Sequence, residues 1–402
     1  MTEGFRWDRL TVSVALSVCL LVPAISVGVV LAELIDEFSM GGVTAALHGS
    51  TFGIGLVVCG LAGAAVVARL GRRTTLTSAA TLIVGGVTVF VVGPSWPFTL
   101  LGTGLAGFGA ALVVVVAPGI INDHHGAARG RAYASVNAAP AVIGITLSLT
   151  IGAALSAGAS WRPVYLAVTF VIALTLVVVA RPVQPPATAT VATRVRLPDD
   201  RATRRGLVDV VIAVLAEFSI GVWAVTFLRD VGGASDGAAP LLSVVFPLDM
   251  FAGRLLLHRL VHRLGRHLTS VAFVVTGLGA AAMCLLTWLP GQVMALAVVG
   301  FFGGLLYPLA VDDLYHRANS PDSVTTGAQA AVAQGAAVIV GPLLLGGASD
   351  LFGLRWALMV VAVVAVAGAV RRWPRPTTTS STTTSTTTTS TTTTSTTTTD
   401  RY

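Results

Sequence analysis

Two carboxylates stand where carboxylates are expensive. Glu217 and Asp249 each lie near the middle of a long apolar run. If those runs cross a membrane, an ionisable side chain at that depth is a functional candidate by default. Burial raises the pKa of a carboxyl group, so a buried carboxyl can load and release a proton near neutral pH. The other role open to each is a carboxyl hydrogen-bonded to a neighbouring helix. Arg254, five residues after Asp249, either neutralises it indirectly or extends its guanidinium toward the membrane surface. Asn137, Trp223, Tyr307, Gln329 and Gln334 are further polar or amphipathic groups in or near apolar runs. They either touch a small molecule in a cavity or hydrogen-bond between helices, and the sequence leaves both open. His48, early in a run, reads as an interfacial residue. His124 and His125 are adjacent, but no Cys or third His joins them, so no metal site is expected. Cys19, Cys59 and Cys284 fall inside apolar runs and read as small packing residues.

Composition says what must carry these residues. Of 402 residues, 54% are hydrophobic and 11% are charged. A soluble domain could not hide that much apolar surface. A bilayer can, at about 20 apolar residues per crossing. Spans are predicted at 11–33, 43–68, 75–93, 97–121, 134–157, 162–180, 207–228, 238–258, 268–289, 291–311, 324–349 and 354–370. In lipid only helices and closed barrels satisfy the backbone, and continuous apolar runs lack the alternation of a barrel. Gly102, Gly104, Gly107 and Gly109 permit close helix contact. The expected fold class is therefore an all-α polytopic membrane protein with twelve transmembrane helices.

The chain contains no lysine, so every basic residue is an arginine. Arginines crowd the loops on one side, among them Arg69, Arg72 and Arg73, six between Arg181 and Arg205, and Arg371, Arg372 and Arg375. The other side holds Arg162, Arg229 and Arg355 beside Glu33, Asp36, Glu37, Asp230 and Asp236. The positive-inside rule then places both termini in the cytoplasm, with the protein in the inner membrane. Residues 181–206, with Pro182, Pro185, Pro186 and Pro198, read as a cytoplasmic linker between a bundle at 1–180 and a second at 207–373. Residues 374–402 form a Thr/Ser repeat without an apolar face, expected to be a disordered tail.

The halves echo each other at an offset of 193 to 195 residues. Gly71-Arg72-Arg73 matches Gly265-Arg266-His267, Gly107-Phe108 matches Gly300-Phe301, Gly152 matches Gly346, and Trp161 matches Trp356. The segment Ala64 to Arg73, with Arg69, Gly71, Arg72 and Arg73, resembles the loop signature between helices 2 and 3 of the major facilitator superfamily. Its counterpart holds Arg263, Gly265 and Arg266. The family's loop aspartate is replaced by Ala68 and His262. Gly303 to Leu309 and Gly341-Pro342 also look like the tenth and eleventh helices of bacterial members. The resemblance implies two pseudo-symmetric six-helix bundles with a substrate site between them near the midplane. It implies a monomeric secondary transporter working by alternating access, with Glu217 first and Asp249 second as proton-coupling carboxylates. The partners expected are the lipid bilayer, protons and a small organic solute, with export favoured over uptake and without cofactor, metal or nucleic acid. No basic residue lies deep in the first six spans, which tilts that solute toward a neutral or cationic, moderately apolar molecule. An importer or uncoupled facilitator of the same fold, or a non-transporting receptor or scaffold, are the alternatives. No phosphate-binding loop is present to support an ATP-driven pump.

Overall fold

The computed structural model describes residues 6–180, 198, 200–318 and 323–372. Eleven of its helices are long and apolar enough to cross a membrane. One of them, Gly42–Val92, runs for 51 residues. At about 1.5 Å per residue it would reach about 77 Å, more than twice the hydrocarbon core. It breaks at Gly71, whose φ of 76° and ψ of 159° are non-helical. Glycine takes that conformation without a Cβ clash. The break makes two crossings, and the total is twelve.

Helix α1 comprises Arg9–Cys19, Leu21–Ile25, the 3-10 turn Ser26–Val29 and Leu31–Phe38. Helices α2 and α3 are 42–70 and 72–92. Then follow α4 (Trp96–His125), α5 (Arg129–Ser156) and α6 (Trp161–Ala180). The second half comprises α7 (Arg201–Asp230), α8 (Ala238–Ser243 and Val245–Leu264), α9 (Leu268–Leu285) and α10 (Leu289–Arg317). Helices α11 (Ser323–Phe352) and α12 (Leu354–Ala357 and Met359–Arg372) complete it. The expected all-α fold of two six-helix bundles is the one observed. With an even number of crossings both termini share one end, called here the terminal end, opposite a distal end.

Helix α7 starts inside the segment assigned to the linker. Asp200 caps it, accepting from the Thr203 amide at 2.7 Å, so Arg201 to Gly206 are helical. The rest of that segment apart from Pro198 and Asp200, and the expected tail at 374–402, lie outside the described residues.

Matched contacts build the two halves. A Cβ on Gly107 of α4 would meet the Phe52 Cα of α2 at 2.9 Å, and a Cβ on Gly300 of α10 would meet the Phe246 carbonyl oxygen of α8 at 2.5 Å. Arg162 of α6 donates to the Val91 carbonyl at the end of α3. Arg355 of α12 donates to the Cys284 carbonyl at the end of α9 at 2.9 Å. Each guanidinium satisfies a carbonyl that the helix end leaves without an intrahelical partner. Asp8 caps α1 through the Thr11 amide at 2.8 Å, as Asp200 caps α7. The tryptophans match less well, since Trp161 is buried and Trp356 exposed. Helix α1 breaks at Leu20, ahead of Pro23, and tightens to a 3-10 turn after it, and the buried Tyr165 hydroxyl of α6 donates to the Pro23 carbonyl at 2.8 Å.

Candidate functional site

At the distal end the halves touch backbone to backbone. A Cβ on Gly346 of α11 would lie 2.4 Å from the Gly42 carbonyl oxygen of α2. A Cβ on Gly152 of α5 would lie 2.8 Å from the Gly237 carbonyl oxygen, just before α8. Small residues allow such approach, and side chains then fix it. The Asp350 carboxylate of α11 accepts from the Gly42 and Val43 amides at 2.6 and 3.0 Å, capping α2 from the other half. Arg229, ending α7, meets Asp36 of α1 at 2.8 Å and Glu33 at 3.6 Å, with Asp230 and Asp236 at 2.7 and 3.8 Å. Arg162 pairs with Glu37 at 2.7 Å. Burial and the nearby Asp236 carboxylate raise the Glu33 pKa above its ordinary value, against the pull of Arg229.

At the terminal end the ion pairs described join helices of the same half. Arg72 of the loop motif is buried and holds Asp123 at the end of α4 at 2.6 Å. Asp8 pairs with His124, and His125 meets the Thr11 hydroxyl at 2.8 Å. Burial opposes ionisation of Asp8, but hydrogen bonds from Thr11 and the His124 partner hold its pKa at about 2. In the second half Asp209 of α7 gathers Arg317, Arg371 and Arg372 at 3.7, 3.2 and 3.0 Å. Arg69, Arg73 and Arg263 are exposed. Gly265 has a φ of 49° and opens the turn Gly265–His267 that includes Arg266, as Gly71 turns the first half.

The candidate site is built by α7, α8, α10 and α11 of the second half, with Tyr133 of α5 near it from the first. The carboxylate expected to stand alone is paired: Arg254 of α8 reaches Glu217 of α7 at 2.8 Å, with side chains 41% and 16% exposed. Arg254 also donates from Nε to the Gly304 carbonyl of α10 at 3.1 Å. Its partner is therefore Glu217, not Asp249, and it does not extend to the membrane surface. Glu217 Oε2 is buried without a hydrogen-bond partner. Tyr307 of α10 donates to Gln334 of α11 at 3.1 Å. It lies within electrostatic reach of Glu217, Arg254, Tyr315 and, across the gap, Tyr133 of α5. Tyr133 is 45% exposed. Asn137, one turn further along α5, is also exposed and donates to the Tyr133 carbonyl at 2.9 Å.

Not every sequence candidate joins this group. Asp249 is half-buried and has no hydrogen bond or ion pair among the described residues. Trp223 is only 2% exposed and donates to the Pro342 carbonyl at 3.4 Å, inside the contact of α7 with α11. Gln329 is buried on α11. His48, near the distal start of α2, is buried and hydrogen-bonds the Thr99 hydroxyl of α4 at 2.9 Å. Sequence reasoning passed over Tyr133, whose only signal was a tyrosine four residues before Asn137. A half-exposed guanidinium held by a nearly buried carboxylate can exchange that carboxylate for another anion, provided a proton neutralises Glu217.

A model of the family described as the Major Facilitator Superfamily matches residues 12–338. No curated protein matches the sequence. Among solved structures, a bacterial homolog of the human lysosomal transporter Spinster, inward-facing and unoccupied, aligns with a TM-score of 0.70 at 17% identity, over 92% of this chain and 97% of its own. A D-xylose-proton symporter aligns at 0.72 and 17% identity, over 91% and 97%. The nucleoside transporter NupG aligns at 0.73 and 11% identity, over 90% and 98%. At these identities the likeness shows a shared fold.

Proposed function

The chain belongs to the major facilitator superfamily, and we propose that in this member Glu217 carries a proton that drives the solute. As a member it is a multi-pass membrane protein, not an enzyme, and it moves a small solute by alternating access. The distal contacts between the halves and the exposed polar groups at the centre describe a form shut at the distal end. With both termini in the cytoplasm, as the arginine distribution favours, the shut end is the outer one.

The observation that carries the coupling role is the Glu217–Arg254 pair. Breaking a buried ion pair by removing one partner costs about 3–5 kcal/mol, less where one group is exposed as Arg254 is. Protonating Glu217 has the same effect on Arg254 as deleting the carboxylate's charge. The site is therefore bistable: paired and proton-free, or protonated with the guanidinium available. An unpaired carboxylate favours exchange of a proton against the solute and hence export. A paired one favours proton and solute moving together, which is uptake under an inward proton gradient. The test is uphill transport in proteoliposomes under an imposed pH gradient. Glu217→Gln should retain the fold and lose gradient-driven accumulation, and Asp249→Asn should have a smaller effect. A Glu217→Gln protein that accumulates solute at the wild-type rate with unchanged pH dependence refutes the coupling role.

A further inference from the structure

We propose that the solute is a small organic carboxylate, which takes the place of Glu217 on Arg254 and approaches it along His258 and His262. This builds on the coupling role of Glu217 and adds the chemical class of its co-substrate.

Arg254 binds Glu217 through Nη2 and the Gly304 carbonyl through Nε. Its Nη1 has no partner among the described residues, and its side chain is 41% exposed. The edge formed by Nη1 and Nη2 matches a carboxylate oxygen for oxygen. Glu217 takes Nη2 alone, with one oxygen only, leaving Oε2 buried and without a hydrogen bond. An incoming carboxylate that offers both oxygens to the edge makes the better partner. Once displaced, Glu217 would be a buried anion without a counter-charge, so it takes a proton. Proton and anion thus load together, one of each, and the occupied site has the same net charge as the empty one. The first six spans, without a deep basic residue, tilt the solute toward a neutral or cationic molecule, but the guanidinium comes from α8: a neutral solute offers it acceptors without a counter-charge, and a cation would be repelled by it.

The approach has matching chemistry. His258 and His262 follow Arg254 at successive helical turns of α8, so the three lie along one face. Both histidines are exposed, and their rings pack edge to face with centroids 4.6 Å apart. They lead from the ion pair to the terminal end of α8. The distal rim instead gathers carboxylates, Glu33, Asp36, Glu37, Asp230 and Asp236, around Arg162 and Arg229, with Asp350 at the start of α2. Around the pair the titratable groups are Tyr307 and Tyr315 of α10 and Tyr133 of α5, and α8 itself carries Asp249. Phenols stay neutral between pH 5 and 8. Asp249 makes no ion pair with Arg254, so Glu217 is the carboxyl whose protonation frees the guanidinium.

The test uses the purified full chain in detergent with benzoate, phenylacetate and butyrate, each beside its amide. Binding is followed by thermal stabilisation at pH 5.5 and 7.5, and proton uptake by a pH dye in weak buffer. At least one carboxylate should stabilise the protein at pH 5.5 while its amide does not. Its affinity should fall about tenfold per pH unit above the Glu217 pKa, with one proton taken up per anion. Arg254→Lys keeps the charge and loses the fork, and should weaken the anion at least tenfold. His258→Gln with His262→Gln should slow its association more than its dissociation. Stabilisation by no carboxylate, equal stabilisation by acid and amide, or full anion affinity in Arg254→Lys overturns the proposal. The coupling role fails separately: anion binding without proton uptake, unaltered by Glu217→Gln, leaves a carboxylate site with an uncoupled Glu217. Binding of an amide with proton movement that Glu217→Gln abolishes leaves the coupling and removes the carboxylate.

Discussion

Replacing Asp350 by alanine should open the distal end. Asp350 holds two amides of the other half, at Gly42 and Val43, where α2 begins. A hydrogen bond to a charged group contributes about 1.5–3 kcal/mol when buried, and a charge at a helix N-terminus about 0.3–1 kcal/mol. Asp350 is exposed, so water replaces part of what is lost, and a net cost of about 1–2 kcal/mol is reasonable. That is a factor of about 5–30 in the balance between distal-closed and distal-open forms. Asp350→Asn keeps one acceptor oxygen and loses the charge, and should shift the balance about fivefold. Spin labels on Ser39→Cys and Ser235→Cys, both exposed and in opposite halves, report the distance across that end. The native cysteines at 19, 59 and 284 are buried and should remain unlabelled. Asp350→Ala should raise the long-distance population, with Asp350→Asn between it and the wild type. Distance distributions that coincide in all three proteins would refute the latch, whatever happens to transport.

Acidity should act on the same end through Glu33. Its raised pKa in the closed form means that this form binds a proton more tightly than one where Glu33 is in water at about 4.3. The resulting preference for closure is full below that value and is lost as pH rises through the raised one. The label pair should therefore close as pH falls through this window, and Glu33→Gln should abolish the dependence; a wild-type distance independent of pH would contradict it. Orientation can be checked with reporters: fusions after Gly93 and Pro290 should read outside, and fusions within 185–205 cytoplasmic. An external signal from 185–205 would reverse the orientation.

Hydropathy located all twelve crossings because the bilayer imposes a length and a polarity on each. It missed helix ends on the terminal side, where α7 starts at Arg201 and α10 runs to Arg317. There the helices continue through arginine-bearing turns that are polar yet capped, and hydropathy records only the polarity. The depth of Glu217 was legible for the same reason as the spans. Its pairing with Arg254 was not, since the two lie on different helices and an apolar run carries no record of which face meets which. Trp223 had the right residue type for a cavity wall, but rotation about α7 buries it against α11. The repeat was legible at its glycines and misjudged at its tryptophans. The better matches, Arg162 with Arg355 and Asp8 with Asp200, involve residues too common to stand out until their hydrogen bonds are seen.

The turn at Gly71 leaves no slack between α2 and α3. One non-helical residue separates them, and nothing lies within 4 Å of where its side chain would be. Helices α2 and α3 are joined by so short a pivot, and α3 is tied at the terminal end to α4 by Arg72 on Asp123. The distal tip of α2 is the Gly42 amide that Asp350 grips, and the exposed Arg69 and Arg73 flank the pivot. No loop lies between the distal grip on α2 and the α3–α4 pair, so a shift at the tip has no slack segment at Gly71 in which to be taken up.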